Sequence, residues 1–153
     1  MSAAMIRFDS ILVPTDFSDC ARYAEQYGVE LARTFGSTLH YLYAVEPIDT
    51  FATINGVEQS IYFDVLKDLR TSAEERLAQI ATELSNSGLT VHTAVREGRA
   101  SEAIVEYAQQ HAISLICIST HGRRGFSHLI LGSTTERVVR RAPCPVFVVR
   151  SSS

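Results

Sequence analysis

The chain has 153 residues, 46% of them hydrophobic, enough for one domain over 1–153 with a buried core. With 14 Lys and Arg against 17 Asp and Glu the net charge is −3, which argues against nucleic-acid binding through a broadly basic surface. Met1 to Arg7 shows no basic stretch leading into a long apolar run, and no segment is apolar for a bilayer's thickness, so a cytoplasmic protein without a membrane partner is expected.

Ile11-Leu12-Val13-Pro14 is a short apolar run closed by proline and predicts a buried parallel strand. Thr15-Asp16-Phe17-Ser18 turns the chain. Ala21, Ala24, Gly28, Leu31, Ala32 and Phe35 then recur at helical spacing, with Ser18 placed to cap the helix and Gly36 to stop it. Leu39 to Val45, rich in Leu, Tyr and Val, predicts a second strand. Residues 46 to about 63 hold Pro47, Asp49, Asn55 and Gly56 without a clean period and predict a long connection. Leu66, Leu69, Ala73, Leu77, Ile80, Ala81 and Leu84 share one helix face, closed by Gly88.

Val91, Thr93 and Val95 alternate with His92 and Ala94, as a more exposed strand does. A third helix is expected from near Ser101 to His111 with Ile104, Tyr107 and Ala108 inward. Leu115 to Ile118 predicts a buried strand, Thr134 to Arg141 a short helix, and Pro145 to Arg150 a last strand. Five strands alternating with four helices favour an open parallel α/β sheet with helices on both faces.

Ser119-Thr120-His121-Gly122, nine residues, and Gly132-Ser133-Thr134 join the fourth strand to the fourth helix. A helix start leaves N–H groups without partners and carries partial positive charge, so Gly132, Ser133 and Thr134 offer backbone donors to a phosphate. Without a Cβ, Gly122 and Gly132 permit positive φ and close approach of a ligand. Glycine pairs are also common in turns that bind nothing. Arg123 and Arg124 lie in the same loop, where they are either solvated or turned to the anion. Arg137, Arg140 and Arg141 read as helix-surface cations, the last two favourable near a helix C-terminus.

Together with the opening ILVPTDFS, the stretch STHGRRGFSHLILGSTTERVVRRAPCPVFVVR resembles the universal stress protein family over nearly the whole chain. Nucleotide-binding members carry Gly, two residues, Gly, nine residues, then Gly-Ser/Thr. Gly122, Gly132 and Ser133 fall in register, but Ser119 stands where the first glycine belongs. If that position needs positive φ, serine costs on the order of 1 kcal/mol. If φ is negative, serine fits, and its hydroxyl is free to donate to ribose or phosphate.

The resemblance implies a Rossmann-like sheet of order 3-2-1-4-5, with strands one and four ending at the switch point where such sheets bind ligands. Pro14-Thr15-Asp16 and Ser119-Thr120-His121-Gly122 then face one crevice. It further implies that Asp16 and the backbones of Pro14 and Val45 contact a nucleoside while Gly122, Gly132, Ser133 and Thr134 hold phosphates. Residue chemistry alone reads Asp16 as a turn or cap carboxylate. The implied ligand is ATP with Mg²⁺. The implied partners are a second copy, through the apolar edge strand Val146 to Val149, and a protein of unknown identity that responds to the nucleotide during stress.

Other α/β sites are excluded. No Gly-x-x-x-x-Gly-Lys-Ser/Thr is present, no glycine follows the first strand in a dinucleotide fingerprint, and Lys67 is the only lysine. No obvious general base accompanies the glycine loop. Glu136 reads as a first-turn acid and His121 as a strand-end residue, so no catalytic residue is assigned and hydrolysis is expected to be slow or absent. A weak ATPase or phosphotransferase and an interaction dimer without nucleotide are the alternatives. Cys20, Cys117 and Cys144 form no Cys-x-x-Cys pair, and five scattered histidines lack metal-ligand spacing, so reduced thiols and no metal centre are expected.

Overall fold

The first strand, β1 (Ser10–Pro14), is apolar on both faces because both are covered in the computed structural model, which describes residues 5–47, 59–121 and 131–150. Ile11 and Val13 enter a core with Ala24 and Ala32 of α1 (Asp19–Phe35) and with Ala73 and Leu77 of α2 (Gln59–Asn86). Leu12 points to the other side, into a core with Ile104, Tyr107 and Ala108 of α3 (Ala100–Gln110) and Val138 of α4 (Ser133–Arg141). Two-sided cover is what a continuous apolar run in a parallel sheet requires.

β2 (Thr38–Val45), β3 (Val91–Glu97), β4 (Leu115–Ser119) and β5 (Val146–Val149) complete an all-parallel sheet of order β3-β2-β1-β4-β5, as the family resemblance implied. Ile11 pairs with Leu115 and Leu12 with Ile116. A clasp precedes that pairing: Ser10 N–H donates to Ser114 Oγ at 3.0 Å, and Ser114 Oγ–H donates to the Ser10 carbonyl at 2.7 Å. α1 begins on Ser18, whose Oγ accepts from Ala21 N–H, and stops at Gly36 in the left-handed conformation, both as expected. It lies so close to the sheet that a Cβ on Gly28 would stand 2.6 Å from Val13 Cγ2.

Three expectations need correction. α2 starts at Gln59, so the connection after β2 is shorter than the reading to about residue 63; residues 48–58 lie outside the described part. Leu69 is 39% exposed rather than inward, as are Ile61, Phe63 and Val65 nearby. The cause is angular: Leu66, Ala73, Leu77 and Leu84 centre the stripe that meets the core, while Leu69 and Phe63 lie at its margins and Ile61 and Val65 lie off it. β3 is an edge strand. Thr93, expected on the same face as Val95, is exposed while Val95 is buried.

Candidate functional site

β1 and β4 are parallel neighbours, and their chains part where they leave the sheet, β1 toward α1 on one face and β4 toward α4 on the other. β1 and β4 pair at Ile11–Leu115 and Leu12–Ile116 and then lead into turns at the same end of the sheet. The crevice between the two turns is the topological switch point of the sheet.

The β1–α1 turn is held from inside. Thr15 is 6% exposed; its N–H donates to the Leu42 carbonyl at 2.9 Å, and its hydroxyl donates to Glu25 Oε1 at 2.6 Å while accepting from Phe17 N–H at 3.0 Å. Asp16 is half-buried, and its Oδ1 accepts from Ser18 N–H at 3.0 Å, a local turn bond that ionised carboxylates make well. Phe17 takes φ of +61°, a conformation that costs an aromatic residue about 1–3 kcal/mol and therefore calls for support from its surroundings. Support comes from a stack: Tyr43 lies parallel to the Phe17 ring at 5.0 Å, and the Arg76 guanidinium sits 4.0 Å from its centroid.

The β4–α4 connection is held as tightly at both ends. Thr120 N–H donates to Val149, and Gly132 N–H donates back to the Thr120 carbonyl at 2.8 Å. The Thr135 hydroxyl donates to the Ser119 carbonyl at 2.7 Å, tying the first turn of α4 to the end of β4. Ser119 is not among the residues with positive φ, so serine stands there without strain, and its hydroxyl donates to the His121 carbonyl at 2.9 Å. Gly132, expected to exploit positive φ, has φ of −59° and ψ of 149°. It must be glycine for another reason: a Cβ there would lie 2.8 Å from the Thr120 carbonyl oxygen.

The start of α4 carries no side-chain cap from its N-cap residue, Gly132. By contrast, Ser18 caps α1, and Glu46 Oε1 accepts from Ala100 N–H at 2.8 Å at the start of α3. The amides of Ser133 and Thr134 at this end have no intrahelical acceptor by helix geometry. Beside them, His121 Nε2 is buried with no hydrogen-bond partner among the described residues, while Nδ1 meets Thr120 Oγ1 at 3.0 Å.

Pro14, Thr15 and Asp16 follow β1, and Ser119, Gly132, Ser133 and Thr134 join its neighbour β4 to α4. Val45 closes β2 one strand away, buried, its carbonyl accepting from Gly98 N–H at 3.0 Å. Gly122, Arg123 and Arg124 lie outside the described residues. Glu136 is exposed and paired with Arg140 at 3.0 Å, the ordinary role of a helix-surface acid. Glu25, Tyr43, Arg76 and Thr135 were missed by the sequence reading. Glu25 carried a signal, being a charge set among Ala21, Ala24 and Gly28 on the inward side of α1.

Burial pushes the Glu25 carboxyl above the usual range, opposed by the Thr15 hydrogen bond and by Arg22. Burial likewise raises the Cys117 thiol to about 12, an inert group whose Sγ lies 3.4 Å from the Ala24 carbonyl. Away from the crevice, a hollow of about 440 Å³ between β3 and α3 is lined by His40, His92, His111, Tyr107 and Arg96. His40 Nδ1 and Tyr107 Oη are 2.9 Å apart there. Among the described residues no group of three or more His, Cys, Asp or Glu side chains is disposed to hold a metal ion.

The sequence pattern of the Universal stress protein family matches residues 7–150. The chain belongs to that family. Universal stress protein MJ0531 from Methanocaldococcus jannaschii is 29% identical over 144 residues, covering 94% of this chain and 82% of that protein. The universal stress protein UspA from Lactobacillus plantarum superimposes with a TM-score of 0.82 at 29% identity, over 95% of this chain and 99% of that one. A universal stress protein solved in complex with cAMP shares the fold at a TM-score of 0.66 and 19% identity, over 96% of this chain and 100% of that one.

Proposed function

We propose that this universal stress protein binds an adenine nucleotide, ATP with Mg²⁺ carried on the phosphates, in the β1/β4 crevice, and acts in the cytoplasm as a nucleotide-dependent regulatory module. The observation that carries the reading is the start of α4: a helix N-terminus without a side-chain cap, closed onto β4 through Gly132 and Thr120, at the switch point of the sheet. That end favours an anion by partial charge and by free amides together. His121 Nε2, buried and without a hydrogen-bond partner among the described residues, is a second polar group there that a ligand or water would satisfy. Binding of cAMP by a relative of the same fold supports the nucleoside class.

In this reading Ser133 and Thr134, with Gly122 and Gly132, hold phosphate oxygens. The Asp16 carboxylate and the backbones of Pro14 and Val45 meet the nucleoside. Thr15 serves from inside the turn, since its one hydroxyl proton already goes to Glu25. Turnover is slow or absent in this reading, with Glu136 in the first turn of α4 committed to Arg140.

A second copy joins through β5. Phe147 on that edge strand is 41% exposed, as is Tyr27 of α1, their rings 6.1 Å apart, so an apolar strip runs beside unpaired backbone. Denaturing freshly purified protein and identifying released nucleotide by mass spectrometry, followed by calorimetry with ATP, tests the binding. No released nucleotide and no heat of binding would overturn it, and rapid phosphate release would move the assignment to an ATPase.

A further inference from the structure

The register of β2 on β3 sets His40 opposite His92, so the two imidazoles stand side by side on one face of the sheet, ring centroids 5.1 Å apart. Arg96 follows His92 on the same face of β3, four residues on. α3 covers this face and brings up Tyr107 and, one turn later at its C-terminal cap, His111. The His111 ring lies 5.9 Å from His40 and 3.9 Å from Tyr107, centroid to centroid. Together these side chains line the hollow of about 440 Å³ at the edge of the sheet.

The chain as a whole is acidic, yet no carboxylate lines this hollow. The acids nearby line an adjoining hollow of about 300 Å³ that shares Arg96 and Tyr107. Two of them are already engaged, Glu97 with Arg70 at 3.1 Å and Glu102 with Arg99 at 3.6 Å, and the third is Glu106. Arg96 has no ion pair among the described residues; its guanidinium lies 5.8 Å from the Tyr107 ring centroid. A guanidinium without a carboxylate, set beside three imidazoles, is a donor set for an oxyanion. The imidazoles also oppose one another's charge: burial first, then His92 and His111, holds His40 down to about 4. A bound anion is the group that would offset this repulsion.

We propose that this hollow binds a small organic oxyanion, a phosphate ester or a carboxylate, held by Arg96 and the N–H groups of His92 and His111 against the inner wall of His40 and Tyr107. The site shares no residue with the β1/β4 crevice and does not depend on what binds there. Its volume falls among small-molecule sites, about 300–1,000 Å³, which leaves room for an organic body against the ring faces. Arg96 supplies charge throughout the neutral range, and each imidazole that takes up a proton adds to it, so affinity rises as pH falls.

The test is NMR of the full chain, following the imidazole signals of His40, His92 and His111 as sulfate, benzoate or phenyl phosphate is added at constant ionic strength. Signals resolved by residue separate this hollow from any anion held at the start of α4. Saturating shifts of all three are expected, with affinity about tenfold or more weaker in Arg96→Leu and within about threefold in Arg96→Lys. Arg96 and His92 are exposed, so these variants and His92→Gln are expected to fold, and His92→Gln to reduce the gain in affinity on acidification. That gain is read with sulfate and benzoate, whose own charges stay constant between about pH 8 and about pH 6. Tighter phenyl phosphate than benzoate assigns the ester, and the reverse assigns the carboxylate. Shifts that never saturate with any probe, affinity unchanged in Arg96→Leu, or no gain toward about pH 6 with either constant-charge probe overturns the proposal.

Discussion

Gly132 and Thr120 are joined twice over: the Gly132 N–H donates to the Thr120 carbonyl at 2.8 Å, and that same oxygen fills the space a Cβ on residue 132 would take. A side chain at 132 therefore meets the protein's own backbone before it meets any ligand. Gly132→Ala is expected to destabilise the fold by about 1–3 kcal/mol through overpacking and to lower triphosphate affinity by about tenfold or more as the helix start shifts. Urea unfolding and calorimetry check the two effects, and unchanged values in both would mean that the turn gives way freely.

Asp16→Asn and Asp16→Ala separate the two jobs of one carboxylate. Asparagine keeps an oxygen for Ser18 N–H; alanine removes it. Both variants are expected to weaken ATP and adenosine, asparagine by a charged hydrogen bond's worth of about 1.5–3 kcal/mol, and neither to affect inorganic triphosphate. Equal losses for triphosphate and ATP would remove Asp16 from the nucleoside contacts.

Ser119→Gly restores the family's first glycine but gives up a hydroxyl bond to His121 and frees the backbone. Because serine is unstrained at this position, the change is expected to alter ATP affinity by less than about tenfold, or about 1.4 kcal/mol, and to cost about 0.5–1.5 kcal/mol of stability. A much larger gain in affinity would identify the native pocket as impaired.

Acid is expected to weaken the fold through His40. Burial first, then His92 and His111, holds its imidazole down to about 4, below the ordinary 6.5. On acidification the unfolded chain takes up this proton before the folded one, so the stability of neutral His40 is complete above about pH 6.5 and drains away as pH falls through 4. Urea midpoints followed across that window check it, and His40→Gln is expected to flatten the slope. An unaltered slope in the variant would place the acid sensitivity elsewhere.

Phe147→Glu sets a charge on the exposed face of β5. It is expected to leave the monomer folded and to abolish pairing, read by light scattering at tens of micromolar. A monomeric unmutated protein would end the homodimer assignment whatever the variant does.

Much of this was legible in the residues themselves, for identifiable reasons. β1 and β4 declared themselves because two-sided burial demands unbroken apolar runs, and α1 declared its ends because Ser18 and Gly36 perform local chemistry. The start of α2 was hidden: Ile61, Phe63 and Val65 face solvent, so apolar spacing there reports no buried face. Glycine at 132 was legible as a need for closeness but not for its cause, since the crowding atom belongs to Thr120. The Thr15–Glu25 bond joins a turn to a helix interior, and the His40–Tyr107 contact joins a strand to a helix 67 positions on. Such pairs have no periodicity to betray them; only the folded sheet brings them together.

The clasp between Ser10 and Ser114 spans 104 positions, and it has a bearing on how the protein is born. During synthesis the central strand leaves the ribosome early and can take β2 as its neighbour, but its other flank stays bare until Leu115 follows. A chain stalled before that point carries Ile11, Leu12 and Val13 on an open edge, the kind of strand that pairs with strangers. Closure of that flank comes late in translation, so the nascent chain carries the open edge that the finished fold has covered.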